Sequence, residues 1–337
     1  MSYSKEKIEQ LRHRWTTTKG KQLLKTIKNS KAYLSPVIFK QKVNHFQGIN
    51  DEELGENSID LRGAPLSGFD FRTTIEDDNG YSEKISILSN IHFDGAELKH
   101  CMFQDSKIFD CHFDQADLSH AELKTATINS CTFKETDCTG LNLYGTILTN
   151  CNFNDATIKD ITLESTIIDE RTTFGKMLKS EKEKNYHFAA IEYKKIKEMY
   201  KSSSLHSIAD NFHYKEMIAK RKLSPKKHPL RTLNYIFGDL LCKYGTSFVR
   251  VLIWCFVLII ICALFFNIGE NLVYNGNKIS PTIFDSIYFS IVSFTTLGYG
   301  DYHAIGATRF IAAGESFIGA ALMSLFTVIV ARQIIRD

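Results

Sequence analysis

Residues 91–150 read IHFDGAELKHCMFQDSKIFDCHFDQADLSHAELKTATINSCTFKETDCTGLNLYGTILTN, and one spacing organises them all. From Ser86 onward an inward-type residue returns every five positions: Leu88, Phe93, Leu98, Phe103, Ile108, Phe113, Leu118, Leu123, Ile128, Phe133, Cys138, Leu143, Leu148, Phe153, Ile158, Leu163 and Ile168. Of these 17, only Cys138 is not Leu, Phe or Ile. Two residues earlier stands a small side chain, as in Ala96, Cys101, Ser106, Cys111, Ala116, Ala121, Ala126 and Cys131. A period of five fits neither a helix nor a strand. Two inward positions in each short unit describe a solenoid.

The pattern resembles the pentapeptide-repeat family, which implies a right-handed quadrilateral β-helix with four pentapeptides per coil. That coil stacks residues 20 apart, and the sequence agrees. Phe93, Phe113, Phe133 and Phe153 form one column, and Cys111, Cys131 and Cys151 stand under Ile91 in another. At about 4.8 Å per layer the repeat builds roughly four coils. Ile59–Leu61, Ala64–Leu66 and Phe69–Phe71 repeat the pattern in a shifted register, and 73–84, with Asn79-Gly80, is expected to be a protruding loop. The stacked cysteines are expected to be core, and no zinc-like spacing occurs. His92/His112 and His100/His120 are also 20 apart and are expected on solvated faces.

Over 337 residues the chain is 44% apolar and 23% charged with net charge +3, which argues against disorder, collagen or a polytopic transporter. The averages hide segregation. Residues 85–174 carry 14 acidic and 6 basic groups, 175–250 carry 7 and 17, and 251–337 carry 5 and 4. A basic block running into an apolar one marks the cytoplasmic face of a membrane protein.

Val251–Phe266, VLIWCFVLIIICALFF, has no charged or amide side chain and, with Phe248 and Val249, reaches spanning length. A second span runs from Phe310 to Ala331 and ends at Arg332 and Arg336. The positive-inside rule puts both the N-terminal region and the C-terminal tail in the cytoplasm of a multi-pass cell-membrane protein. No arginine ladder of a voltage sensor precedes the pair.

Between the spans, 281–301 read PTIFDSIYFSIVSFTTLGYGD. Ser280 is expected to cap, and Pro281 to open, an apolar helix too short to cross. It gives way to Thr295-Thr296-Leu297-Gly298-Tyr299-Gly300-Asp301, and such a helix must end in buried or water-lined surroundings. Thr296-Leu297-Gly298-Tyr299-Gly300 resembles the selectivity filter of potassium channels. The resemblance implies ion sites made by the carbonyls of this segment and the Thr296 hydroxyl, with Asp301 bracing the outer mouth beside Thr295, Tyr288 and Phe289. Leu297 replaces the commoner Val. Tyr288 and Phe289 replace tryptophans, and Val292 a glutamate, so bracing is expected to differ. Four copies are needed to surround an ion. Gly314 and Gly319 are candidate hinges, Gly319 preferred, although close packing explains it equally; Met323 and Thr327 would share its pore-facing stripe. Glu315, ionisable within a span, fits a structural hydrogen bond better than a gating role.

The reading as a whole is a multidomain chain. It comprises a helical cap (1–57), the β-helix (58–174), a cytoplasmic helical hairpin and basic linker (175–228), an interfacial amphipathic helix (229–246) and an all-α two-span tetrameric pore (247–337). Within the pore, the spans are expected near 248–267 and 307–332, with the pore helix at 281–294 and the filter at 295–301. In the hairpin, Ala189, Tyr193, Ile196 and Tyr200 share a face. In the interfacial helix, Leu230, Leu233, Phe237 and Leu240 share another, next to lysines suited to anionic lipids. The function expected is a homotetrameric potassium channel with the β-helix serving assembly or gating. It has potassium as permeant ion and involves no cofactor, no other metal, no nucleic acid and no enzymatic activity. The alternatives are a weakly selective cation channel and a membrane-anchored scaffold or DNA mimic.

Overall fold

A computed structural model of the chain describes residues 3–29, 58–76, 82–85, 87–225, 228–268 and 272–336. It divides into two compact units, Met1–Leu223 and Ser224–Asp337. Most of the expected cap's second half (30–57), Asn79-Gly80 and Lys226-Lys227 lie outside the described residues.

The first unit is a β-solenoid. Short strands at Ile87–Ser89, Lys107–Phe109, Thr127–Asn129, Ile147–Thr149 and Ile167–Ile168 pair in parallel, each in register with the residue 20 further on. Phe93, Phe113, Phe133 and Phe153 stack inside with ring centroids 4.5–5.0 Å apart. The coil turns at a residue with positive φ at every fifth position from Asn90 to Ser165, and 13 of these 16 corners are not glycine. Left-handed backbone costs an L-residue about 1–2 kcal/mol. The coil compensates through main-chain pairing with the next layer, as in Phe93 N–H to His112 O at 2.6 Å and Phe113 N–H to Thr132 O at 2.8 Å.

Two irregularities depart from the sequence expectation. Ile59, Pro65 and Asp70 pair with Ile91, Glu97 and Met102, 32 residues on rather than 20, so the shifted register is one more coil interrupted by twelve residues. That insertion is not a loop: Thr73–Glu76 and Ser82–Ile85 form an antiparallel hairpin. At the other end Asn152 pairs with Thr173, one residue late. The ladder is patched there by side chains: Asp169 Oδ1 accepts from Asn150 N–H (3.0 Å) and Thr172 Oγ1 from Cys151 N–H (3.1 Å). Phe174, out of phase in sequence, thereby completes the phenylalanine stack under Phe153 at 4.9 Å. The cysteines are free and buried. The His92/His112 and His100/His120 rings stack at 4.5 and 5.3 Å.

Both ends of the solenoid are covered. Helices Lys5–His13 and Thr18–Asn29 cap the first coil, with Leu11, Trp15 and Ile27 buried. Asp60 lies between two guanidinium groups, accepting from Arg14 (2.6 and 2.7 Å) and Arg62 (3.0 Å twice). The hairpin Tyr186–Ser202 and His206–Leu223 is not a separate domain, because its core is continuous with the solenoid's. Tyr200 stacks on Phe212 at 5.4 Å and donates to Thr172 O at 2.6 Å.

In the second unit, Phe248–Phe266 and Thr308–Arg336 are the two long helices; only 22% and 17% of their apolar stretches are buried, unlike core helices of a soluble protein. The expected continuous helix at 229–246 is instead a short α-helix, Pro229–Leu233, running into a π-helical stretch, Asn234–Leu240. The wider turn exposes Tyr235 and Ile236 beside Leu233, Phe237 and Leu240, broadening the expected stripe. Nor is the unit all-α. Leu272–Tyr274 pairs with both Asn277–Ile279 and Tyr302–Ala304. The turn Asn275-Gly276 has φ of 45° and 82°, which Asn-Gly tolerates.

Asp60 allows a direct test. Its two arginines hold the carboxyl well below the usual range, against the opposing effect of burial. The contribution to stability is therefore complete above the unfolded carboxylate's value, near 3.9, and lost only as pH falls through the lowered folded value. Asp60→Ala removes the carboxylate that two buried guanidinium groups share and should cost about 3–5 kcal/mol, read as a lower urea midpoint in the fluorescence of buried Trp15.

Candidate functional site

Twelve residues, Ile283–Phe294, form the short helix between the two long ones, about 18 Å of rise. Its cap is Thr282, not Ser280, and Pro281 stands outside it. Thr282 and Asp285 form a reciprocal capping box: Asp285 Oδ2 accepts from the Thr282 N–H (2.9 Å) and hydroxyl (2.7 Å), while Thr282 Oγ1 accepts from Asp285 N–H (3.3 Å). A carboxylate at this position also suits the positive end of the helix dipole, which Ser280 and Pro281 cannot match.

The helix is fastened to both long helices. Phe289 is buried edge-on against Phe266 at 4.8 Å. Ser290 Oγ lies 2.9 Å from Ile259 O on the first long helix and 2.5 Å from Glu315 Oε1 on the second. Ser316 Oγ donates to Ser293 O at 2.8 Å. Glu315 is 2% exposed and lies in this seam. A Cβ on Gly319 would stand 2.4 Å from Phe294 O, so this glycine allows two backbones to touch. The helix Thr308–Arg336 runs unbroken through both Gly314 and Gly319.

Past Phe294 the helix unwinds. Thr296 and Leu297 N–H donate to Ser293 O and Val292 O, each at 3.1 Å, and the Thr295 hydroxyl donates to Ile291 O at 2.7 Å. Three alternate residues then take positive φ: Thr296 (56°), Gly298 (56°) and Gly300 (79°). For β-branched Thr296 this is a strained conformation, the kind that marks functional backbone. Leu297 and Tyr299 are exposed in the single chain. Asp301 accepts a hydrogen bond from the Tyr288 hydroxyl at 2.9 Å. The structure thus brings Tyr288 to Asp301 at the end of the 295–300 segment, whereas Phe289, expected beside them, packs against Phe266 instead. Met323 and Thr327 are exposed elsewhere, on the second long helix, with Thr327 Oγ1 donating to Met323 O at 2.9 Å.

Sequence reasoning missed Ser290 and Ser316 as fasteners, and Asp285 as the partner of the cap Thr282. Only Asp285 had a local signal, the Thr-x-x-Asp spacing.

A family model described as "Ion channel" matches residues 237–336, and one described as "Pentapeptide repeats" matches 128–164. Among solved structures, a pentapeptide repeat protein (Rfr23) from the cyanobacterium Cyanothece 51142 is 18% identical over 27% of this chain and 61% of its own, with TM-score 0.26. A thylakoid-lumen pentapeptide repeat protein from Arabidopsis thaliana is 18% identical over 37% of this chain and 75% of its own, with TM-score 0.20. QnrB1, a plasmid-mediated fluoroquinolone resistance protein, is 16% identical over 34% and 78%, with TM-score 0.15. No curated protein matches the chain.

The two glycines of the second long helix separate packing from hinge. Gly319→Ala should destabilise the folded protein by about 1–3 kcal/mol, seen as a lower melting temperature in detergent. Gly314→Ala, whose added carbon meets open space, should not lower melting and should raise it slightly, as alanine favours the helix.

Proposed function

Taking the chain as an ion-channel domain joined to pentapeptide repeats, we propose that it is the subunit of a homotetrameric, potassium-selective channel. The observation that carries this is the alternation of positive φ at Thr296, Gly298 and Gly300, directly after a helix too short to span. Alternating backbone hands turn successive carbonyls to one side. Around a fourfold axis, those of Thr296, Leu297, Gly298, Tyr299 and Gly300, with the Thr296 hydroxyl, replace the hydration shell of potassium. The four short helices direct their negative C-terminal ends at the cavity below. Met323 and Thr327 line the path beyond the filter, and Glu315 braces rather than permeates. Conduction is passive and uses no cofactor.

The protein lies in the cell membrane with both termini in the cytoplasm, as the charge segregation favours. Exposed Leu233, Tyr235 and Phe237 beside Arg231 and Lys243 suit a surface of anionic lipid. The solenoid serves assembly or gating. The deletion that asks this question ends after Leu223, because a cut at 175 would strip buried Tyr193, Tyr200 and Phe212 of their partners.

Purified protein in liposomes with a potassium gradient tests the reading. Potassium flux well above sodium flux is expected, from a tetramer in detergent. Comparable fluxes would indicate a weakly selective cation channel, and absence of both flux and tetramer would overturn the proposal. Removal of residues 1–223 should lower tetramer recovery or change open probability; if neither moves, the solenoid unit serves neither role.

A further inference from the structure

Within one chain, little holds the 296–300 segment. Leu297 and Tyr299 are 60% and 69% exposed, and nothing lies within 4 Å of a Cβ built on Gly298 or Gly300. The segment's conformation is therefore set from its ends. The inner end continues from the short helix through the bonds to Val292 and Ser293. The outer end is held by a closed circuit that starts and finishes on that same helix.

The Tyr288 hydroxyl donates to Asp301 Oδ2 at 2.9 Å, and Tyr302 N–H donates to Asp301 Oδ1 at 3.0 Å. The Tyr302 hydroxyl in turn donates to Asp285 Oδ1 at 2.9 Å. Asp285 and Tyr288 are neighbours three residues apart on one helix, which closes the circuit. Asp285 therefore has two roles: one oxygen caps the helix start, and the other fixes the chain just past the filter segment. Tyr302 also begins the strand Tyr302–Ala304, paired with Leu272–Tyr274, and its ring lies 4.7 Å from that of Tyr274. The hydrogen bond to Asp285 pushes the Tyr302 hydroxyl up to about 12, so it remains a donor at physiological pH.

We propose that Asp285 and Tyr302 are positioning residues, which together with the outer hairpin 272–279 hold the exit of the filter segment in its conducting alignment. The inference rests on the channel reading. It adds residues outside the filter motif and beyond the Tyr288–Asp301 contact.

Two measurements on the full chain in bilayers test it. In single-channel records, Tyr302→Phe and Asp285→Asn should each shorten the conducting period about fivefold, the rate effect of one lost hydrogen bond. Each should also raise sodium permeability relative to potassium. The double variant should be no worse than the more severe single variant, since both remove the same bond, and high external potassium should restore the period by refilling the filter. Wild-type persistence in Tyr302→Phe, or fully additive effects, would overturn the proposal. Hydrogen exchange of backbone amides 299–304 supplies a readout independent of conduction. Faster exchange in Tyr302→Phe at unchanged melting temperature supports the clamp, and unchanged exchange overturns it. A wild-type chain that passes no potassium would refute the channel reading, and the exchange measurement would still decide the clamp.

Discussion

Main-chain hydrogen bonding that cannot close locally governs both units of this chain. A pentapeptide coil makes no helix and only strands of two or three residues, so each turn must offer its N–H and C=O groups to the turns on either side. The bonds from Phe93 to His112 and from Phe113 to Thr132 show the rule. It forces parallel register, tolerates left-handed corners at every fifth residue, and leaves two open ends that must be covered. Helices at both ends provide that cover.

The second unit faces the same requirement at its candidate site. A helix that stops part-way leaves carbonyls and amides without helical partners. Here they are met by side chains and neighbouring backbones: Thr295 on Ile291 O, Ser316 on Ser293 O, and the capping box at the start. The residues that follow can then adopt backbone that packing would not select. A strained Thr296 between a well-fastened helix and a tied-down Asp301 is a small conformational cost carried by a large rigid surround.

Much of the solenoid was legible because its period is shorter than its coil. Each inward position repeats within five residues, so Phe93 announces Phe113 without reference to anything distant. Phe174 broke the pattern by a single residue, and only the patch by Asp169 and Thr172 shows that it still belongs to the stack. The hairpin after Phe71 and the sheet behind Tyr302 went unread for another reason. Strands this short carry no periodicity, and their pairing depends on what stands opposite; the Asn-Gly pairs at 79–80 and 275–276 were the local clues.

By itself the sequence determined the repeat, the two apolar helices, the short helix between them and the glycine-spaced segment that follows it. These follow from local composition and spacing, which every fragment carries with it. Only the tertiary structure decided that Asp60 is shared by two arginines, that the helical hairpin closes the solenoid, and that Gly319 is a contact point in an unbroken helix. It also decided that Asp285 reaches across to Tyr302. Each of these joins residues distant along the chain or turns on the space around a backbone atom. Such partners are chosen by the shape of the assembled backbone, which no stretch of sequence contains.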